Sequence, residues 1–139
     1  MSLRSYKELI VWQRSIELTI EIYRLTGTFP KSEMFGICSQ MRRASVSVPS
    51  NIAEGYSRRN RLEYSRFINI AYASAAELET QMIIAKKLGL ALKQEFQKSE
   101  SLLQEVLRML NVLEDITGYN FPVARSEMNM RTHSFPDLR

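Results

Sequence analysis

The chain has 139 residues with 19 basic and 15 acidic side chains, a formal net charge of +4 and a pI of 9.4. This length predicts one domain that buries roughly 68% of its unfolded surface, so folding requires neither a disulfide nor a metal. The lone cysteine excludes an internal disulfide. No apolar run approaches the ~20 residues of a membrane span, and no apolar run follows a basic start as in a signal peptide. We therefore expect a cytoplasmic protein.

Glycine and proline are sparse, at five and four residues, and the segments between them are rich in good helix formers. The first predicted helix covers residues 6–26 and ends at Gly27. Its apolar residues recur at steps of three and four, which places them on one face. They are Leu9, Trp12, Ile16, Ile20 and Tyr23.

The second predicted helix begins at Ser32 as N-cap and ends at Gly55, which we expect in the left-handed conformation that glycine adopts cheaply. Pro49 lies inside this segment. Because the apolar stripe keeps its phase across the proline, we predict one helix with a kink; the alternative is two short helices broken at Val48. The stripe consists of Ile37, Met41, Ala44, Val48 and Ile52.

The third predicted helix, residues 61–88, begins at a capping-box-like Asn60 and Glu63 and ends at Gly89. Its apolar positions form a coiled-coil-like seam with small residues at the centre. They are Tyr64, Ile68, Ala71, Ala75, Leu78, Met82 and Ala85. The fourth predicted helix covers residues 93–117 and ends at Gly118, with a seam formed by Phe96, Leu103, Val106, Leu110 and Leu113.

Four amphipathic helices with short connections predict an all-α, antiparallel up-down-up-down four-helix bundle. The bundle domain is residues 1–117. Residues 118–139 form a polar C-terminal tail with two Phe-Pro pairs, Phe121-Pro122 and Phe135-Pro136, and a composition typical of disordered or extended chain.

Candidate catalytic and metal-binding residues are scarce. The single histidine, His133, lies in the tail, so the Glu-x-x-His pairs of di-iron bundles cannot form. Cys38 lies at a helical position that flanks the core, and we interpret it as a packing residue. No glycine-rich phosphate loop or metal motif occurs. We therefore expect no enzyme activity, no metal and no cofactor.

The excess charge is confined to residues 40–66, which hold six of the 19 basic residues and two of the 15 acidic ones. The remaining 13 basic and 13 acidic residues cancel. Local charge of this kind concerns partners and not the fold.

The first half of this segment carries a polar stripe beside the apolar one. It is either a solvated face or a hydrogen-bonded seam between subunits, where Arg43 would need a carboxylate such as Glu54 or Glu77 of a neighbour. We favour an oligomer interface formed by Gln40, Arg43, Ser47, Asn51 and Glu54.

The second half places arginines at the loop and first turns of the third helix, where the helix dipole favours anions. Arginine forks match phosphate oxygens, so we predict a backbone-phosphate site; the alternative is a solvated loop. The predicted nucleic-acid-binding residues are Arg58, Arg59, Arg61 and Arg66, with Arg42 of the second helix. Because Tyr56 and Tyr64 are the only aromatic candidates nearby, we expect recognition of shape and charge rather than bases.

One long motif carries a family resemblance: Gln40-x-Arg42-Arg43-Ala44, then Pro49-Ser50-Asn51-Ile52-Ala53-Glu54-Gly55. With Phe29-Pro30-x-x-Glu33-x-x-Gly36 before it, this resembles the four-helix bundle proteins encoded by intervening sequences in bacterial 23S rRNA genes, over about residues 6–115. Tyr72-Ala73-Ser74 departs from the family's Arg-Gly-Ser-like step.

The resemblance implies association with rRNA. A related branch, the accessory proteins of diversity-generating retroelements, implies a homopentameric ring with a basic surface and a reverse transcriptase as partner. The sequence thus predicts a non-enzymatic, ring-like homo-oligomer that binds structured nucleic acid. The alternative is a protein-interaction module or adaptor that does not bind nucleic acid itself.

Overall fold

The computed structural model describes residues 5–117, with side chains described to residue 114. Within that range it contains four α-helices and no strand. The helices are α1 (Ile10–Thr26), α2 (Ser39–Tyr56), α3 (Arg61–Lys87) and α4 (Gln97–Thr117). Short helical turns precede three of them: Tyr6–Glu8 before α1, Lys31–Glu33 and Met34–Cys38 before α2, and Lys93–Phe96 before α4. The predictions for Gly118 and for the tail lie outside the described residues.

Side-chain contacts show that neighbouring helices run antiparallel. For α1–α2, α3–α4 and α4–α1, a residue in the second half of one helix meets a residue in the first half of the other; for α2–α3, the middles of the helices meet, and Gly55 at the end of α2 lies against Tyr64 and Phe67 near the start of α3. The contacts are Thr19 Oγ1 to Ser45 O at 2.9 Å, Ser47 Oγ to Ser74 Oγ at 2.8 Å, Lys86 Nζ to Glu100 Oε1 at 2.8 Å and Lys98 Nζ to Glu21 Oε1 at 3.1 Å. Each helix therefore packs on the preceding and the following one, and α4 returns to α1, in the predicted up-down-up-down bundle.

The core follows the predicted seams of α2, α3 and α4. In α3, every predicted seam residue from Ile68 to Ala85 is buried. In α2 the buried stripe includes Met41, Val48 and Ile52. Phe29 of the α1–α2 connection packs on Phe96 before α4, with ring centroids 6.0 Å apart, and closes one end of the core.

The buried face of α1 differs from the predicted one. Val11, Leu18, Ile22 and Leu25 are buried together with Ser15, whereas Ile20 and Tyr23 of the predicted face are 54% and 46% exposed. The two faces lie side by side, and α1 turns the face of Leu18 and Ile22 to the core, where it packs on α2 and α4. The sequence pattern therefore identified an apolar face that is only partly covered.

The start of α2 was also predicted incorrectly. Residues from Lys31 form a 3-10 turn and a π-turn, and the α-helix begins only at Ser39. Gly36 interrupts the helical backbone of this segment, because its φ of −107° and ψ of −115° are not helical values. The helix then runs unbroken through Pro49, so the alternative of two helices broken at Val48 is wrong.

Gly55 does not end α2 in a left-handed conformation. The helix continues to Tyr56, Gly55 is buried, and the only glycine with positive φ among the described residues is Gly89, at 68°. A Cβ on Gly55 would lie 2.7 Å from Cβ of Phe67. Close approach of α3, and not a turn, therefore requires glycine here. The prediction that Gly89 ends α3 is confirmed, since Leu90 N donates to Ala85 O at 3.1 Å.

Candidate nucleic-acid interface

The loop that joins α2 to α3 is short and held at both ends. Ser57 closes α2 through its backbone amide and its hydroxyl, which both donate to Ala53 O. Arg58 N donates to Gly55 O at 3.0 Å. The arginines of this loop therefore project from a fixed backbone. We call this end of the bundle, residues 57–66, the arginine end.

Asn60 is the N-cap of α3, as predicted. Its side-chain oxygen accepts from the amides of Leu62 and Glu63, at 2.8 and 3.3 Å. These two amides are therefore already satisfied inside the chain. The helix dipole still favours an anion here, but the arginine side chains must supply most of the direct contacts.

Arg58 is engaged within the protomer. Its Nη2 donates to Glu54 Oε1 at 2.7 Å, and its guanidinium lies 5.0 Å from the centre of the Phe67 ring. Phe67 was absent from the sequence interpretation, although its place six residues after Arg61 puts it near the loop. Arg58 thus contributes charge from a fixed position, with part of that charge offset by Glu54.

Arg59, Arg61 and Arg66 are exposed, and none of them forms an ion pair or hydrogen bond within residues 5–114. Arg61 and Arg66 are five residues apart on α3, which separates them by about 7.5 Å along the axis and about 140° around it. Arg61 and Arg66 therefore lie on different sides of α3 at the arginine end, and Arg59 lies on the loop before it.

The structure does not bring Arg42 to this group. Its Nε donates to Thr26 Oγ1 at 2.9 Å, and its guanidinium lies 4.7 Å from the Tyr23 ring centre. Arg58 lies sixteen positions after it along α2 and its C-terminal end, about 24 Å away at helical rise. Arg42 thus joins α1 to α2 at the other end of the bundle.

The polar stripe on α2 lies along the α2–α3 groove. Ser47 bonds Ser74, and Asn51 Nδ2 donates to Ser47 O at 2.7 Å, so these two side chains are satisfied inside the protomer. Gln40 and Arg43 remain exposed. The Ser47–Ser74 pair sets a register that brings Arg43 level with the α3 turn that carries Glu77 and Gln81.

Gln81 gives this groove an unsatisfied acceptor. Its side chain is 7% exposed, its Nε2 donates to Glu77 Oε1, and its Oε1 has no hydrogen-bond partner among the described residues. A buried amide oxygen without a donor is costly. Among the described residues, the groove thus combines a cation, Arg43, that has no ion-pair partner with an acceptor, Gln81 Oε1, that has no donor.

The aromatic residues near the arginine end pack on one another. The rings of Tyr56 and Tyr64 lie edge to face, with centroids 6.2 Å apart. Burial raises the pKa of the Tyr64 hydroxyl above its ordinary value, with a smaller contribution from Tyr56. This arrangement leaves no row of exposed rings in the described part of the arginine end on which successive bases could stack.

Residues that could support other chemistry are placed differently. Cys38 is buried, and burial raises the pKa of its thiol, which disfavours the reactive thiolate. No group of three or more His, Cys, Asp or Glu side chains in the described range could hold a metal ion. No helix within residues 5–117 has the length and apolar character to cross a membrane.

Comparisons with known proteins agree with this architecture. Residues 7–112 match the family model described as 23S rRNA-intervening sequence protein. A crystal structure of a protein of unknown function from the S23 ribosomal protein family of Bacteroides thetaiotaomicron aligns with a TM-score of 0.71 at 20% identity, covering 76% of this chain and 98% of that one. No curated protein matches the sequence. Since the family model spans well over half of the chain, the protein belongs to the 23S rRNA-intervening sequence protein family.

Proposed function

We propose that the protein is a non-enzymatic helical bundle that binds structured RNA at its arginine end. The observation that carries this proposal is a set of three exposed arginines on a fixed loop and the start of α3, Arg59, Arg61 and Arg66, which have no counter-ion within residues 5–114. The family's connection with 23S rRNA supports RNA as the polyanion.

Binding of this kind depends on charge and backbone geometry. Arginine forks bond phosphate oxygens in pairs, whereas the packed Tyr56 and Tyr64 offer no stacking platform for bases. Three phosphate contacts per protomer give weak, salt-dependent binding. Several protomers on one RNA would strengthen it by avidity.

We further propose that the protomers associate through the α2–α3 groove, residues Gln40, Arg43, Ser47, Asn51 and Glu54 of α2 with the facing turn of α3. Support comes from Arg43, which is exposed, and from the buried Gln81 Oε1; neither has a partner in the described part of the chain. A neighbouring protomer's donor and carboxylate would satisfy both groups. Family resemblance favours five subunits, and light scattering would determine the number.

The test is a titration of a fluorescein-labelled RNA hairpin against the purified protein between about 50 and 200 mM KCl. The triple variant R59A/R61A/R66A should bind about tenfold or more weakly, and its plot of log affinity against log salt should be shallower by about 2 to 3. Unchanged RNA affinity in this variant would overturn the proposal.

The chain offers a matched control at the opposite end of the bundle. Lys31, Lys87 and Lys93 are exposed there, and K31A/K87A/K93A removes the same charge. If net charge alone drives binding, the two triple variants lose affinity equally. If the arginine end is the site, the lysine variant stays close to the unmodified protein.

The second candidate is a protein-interaction module that does not contact nucleic acid. It is favoured by apolar side chains exposed at the end opposite the arginines: Phe35 is 94% exposed, and Leu88 and Leu92 are each 65% exposed. Apolar groups grouped this way are typical of a docking surface. Family resemblance suggests a reverse transcriptase as one partner class. No RNA retention at about 150 mM salt in the titration above would favour this candidate.

A further inference from the structure

An apolar groove runs between α1 and α2, on the side of α1 that the core leaves uncovered. Its volume is 440 Å³, and Ile20 and Val46 on its walls are 54% and 42% exposed. None of the described residues that line it carries a charge, so the groove suits apolar side chains and not the phosphates of a nucleic acid. It is lined chiefly by Tyr6, Trp12, Ile16, Ile20, Val46 and Pro49.

The exposed edge of α3 beside the α2–α3 groove carries apolar side chains of its own. Ile70 is 45% exposed, and Ala73 is exposed one turn further along the same edge. Ile70 lies between Phe67 and Ser74, which both contact α2, so it stands on the α2 side of α3. We call Ile70 and Ala73 the α3 ridge.

The α1–α2 groove and the α3 ridge lie at the same height in the bundle. Ser47 bonds Ser74 and the two helices are antiparallel, so residues 46–53, which line the groove, are level with residues 68–75 of α3. Both ridge residues fall within that range. Protomers in a closed ring are related by rotation alone, without translation along the axis. When the bundles stand side by side in a ring, the ridge of one copy is therefore level with the groove of the next.

The two surfaces also occupy neighbouring sides of the bundle. The groove lies on the α1–α2 side and the ridge on the α2–α3 side, and these sides share α2 and meet at roughly 90°. A ring requires each subunit to use two unlike surfaces, one for each neighbour. Surfaces on adjacent sides turn each subunit relative to the last and close a ring, whereas surfaces on opposite sides would extend a filament.

We propose that the α1–α2 groove receives the α3 ridge of a second copy of this chain, with Ile70 of one protomer against Ile20 and Val46 of the next. This inference rests on the association proposed above, and it names the surface that meets the α2–α3 side. The contact removes apolar side chains of both protomers from water, which the fold of a single protomer leaves exposed.

The test mixes two full-length variants that damage opposite sides of this contact. Ile20→Glu places a charge in the groove, and Ile70→Glu places one on the ridge. By light scattering, each variant alone should be a monomer, because every contact would include one damaged surface. Mixed in equal amounts they should form a dimer, since the intact groove of Ile70→Glu receives the intact ridge of Ile20→Glu.

Ile83→Glu is the matched control. Ile83 is 37% exposed on the α4 side of α3, between Glu79 and Lys86, which both bond α4. This variant should keep the mass of the unmodified protein. Equal helicity by circular dichroism in all three variants establishes that they are folded.

Trp12 gives a second readout, because it is the only tryptophan in the chain and lines the groove. Helix α3 contributes none of the described residues around this groove, so a change at Ile70 reaches Trp12 only across a subunit contact. Ile70→Glu should shift the emission maximum to longer wavelength. The mixture with Ile20→Glu should emit at shorter wavelength than the sum of the two separate spectra.

Unchanged mass in Ile20→Glu or in Ile70→Glu would overturn the proposal, as would a mixture of the two folded variants that stays monomeric. If Arg43→Ala loses mass while Ile20→Glu keeps it, the α2–α3 groove remains the interface and only the partner surface named here is wrong. Loss or retention of RNA binding in R59A/R61A/R66A does not alter these outcomes, so the two proposals fail separately.

Discussion

Gly55 lies where α2 and α3 are in close contact, and a side chain at this position would press on α3. A Cβ there would lie 2.7 Å from Phe67 Cβ and 3.3 Å from Tyr64 O, neither of which can move without its backbone. The absence of a side chain thus lets the end of α2 rest directly on the start of α3. This contact positions the arginine loop that joins the two helices.

We expect Gly55→Ala to destabilise the protein. Overpacking costs about 1–3 kcal/mol, and the higher helix propensity of alanine offsets up to about 1 kcal/mol of it. The net loss in the free energy of unfolding should be about 1–2 kcal/mol. Urea unfolding followed by circular dichroism measures it.

Ser50→Ala is the control for this substitution, since Ser50 is exposed on the same helix. It should change the free energy of unfolding by less than about 0.5 kcal/mol. A Gly55→Ala protein as stable as the control would show that α3 does not press on this position.

Among the helices, α2 contains a proline in its interior and still runs unbroken. Pro49 has no amide hydrogen, so Ser45 O loses its usual partner four residues on. Thr19 of α1 supplies the missing donor, because its hydroxyl lies 2.9 Å from Ser45 O. The same hydroxyl is 3.0 Å from Ser15 O, but that carbonyl already receives the helical amide of Thr19.

This arrangement predicts coupling between positions 19 and 49. Thr19→Val removes the donor and leaves Ser45 O unsatisfied in a buried site, which should cost about 1–3 kcal/mol. In a Pro49→Ala background the new amide of residue 49 can bond Ser45 O, so the same Thr19→Val change should cost about 1 kcal/mol less. A double-mutant cycle by urea unfolding measures the difference. Additive effects would contradict the compensating role of Thr19.

Sequence periodicity predicted the helices best where one face alone is buried. The α3 seam from Ile68 to Ala85 was predicted residue by residue, because small and large apolar residues alternate along a single line. In α1 two apolar faces compete, and periodicity cannot show which one the neighbours cover. At Gly55 the sequence showed a glycine at a helix end, but only the position of α3 distinguishes a turn from a close contact.

The candidate site was also predictable only in part. The exposed positions of Arg59, Arg61 and Arg66 agree with the pattern of the sequence, since loops and first turns lie at the surface. The long-range partners of Arg42 in α1 could not be predicted, because they depend on how α1 crosses α2. Neighbouring arginines in the sequence therefore have different surroundings in the fold.

At the scale of the whole molecule, the described part of the bundle has two unlike ends, and a polar groove runs along its α2–α3 side. Arginines border one end, exposed Phe35 and Leu92 mark the other, and the α2–α3 groove connects them. In a ring, neighbours joined through the groove would present their arginine ends to a common partner. Assembly and RNA affinity should then depend on the same side-chain contacts.

Substitutions of Arg42 and Arg43 distinguish an effect on assembly from an effect on stability, because these two adjacent residues have different environments. Arg43 is exposed and unpaired within the described residues, whereas Arg42 bonds Thr26 inside the protomer. Arg43→Ala should lower the molecular mass measured by light scattering, since the groove loses its cation. It should also weaken RNA binding by about tenfold or more through loss of avidity, although the arginine end is untouched.

Arg42→Ala should give the opposite pattern. Loss of its bond to Thr26 and of its contact with Tyr23 should reduce the free energy of unfolding by about 1–2 kcal/mol, while the mass stays that of the unmodified protein. A monomeric unmodified protein, or an Arg43→Ala protein of unchanged mass, would exclude the α2–α3 groove as the subunit interface. RNA affinity that stays constant while the mass of Arg43→Ala falls would show that each protomer binds RNA independently.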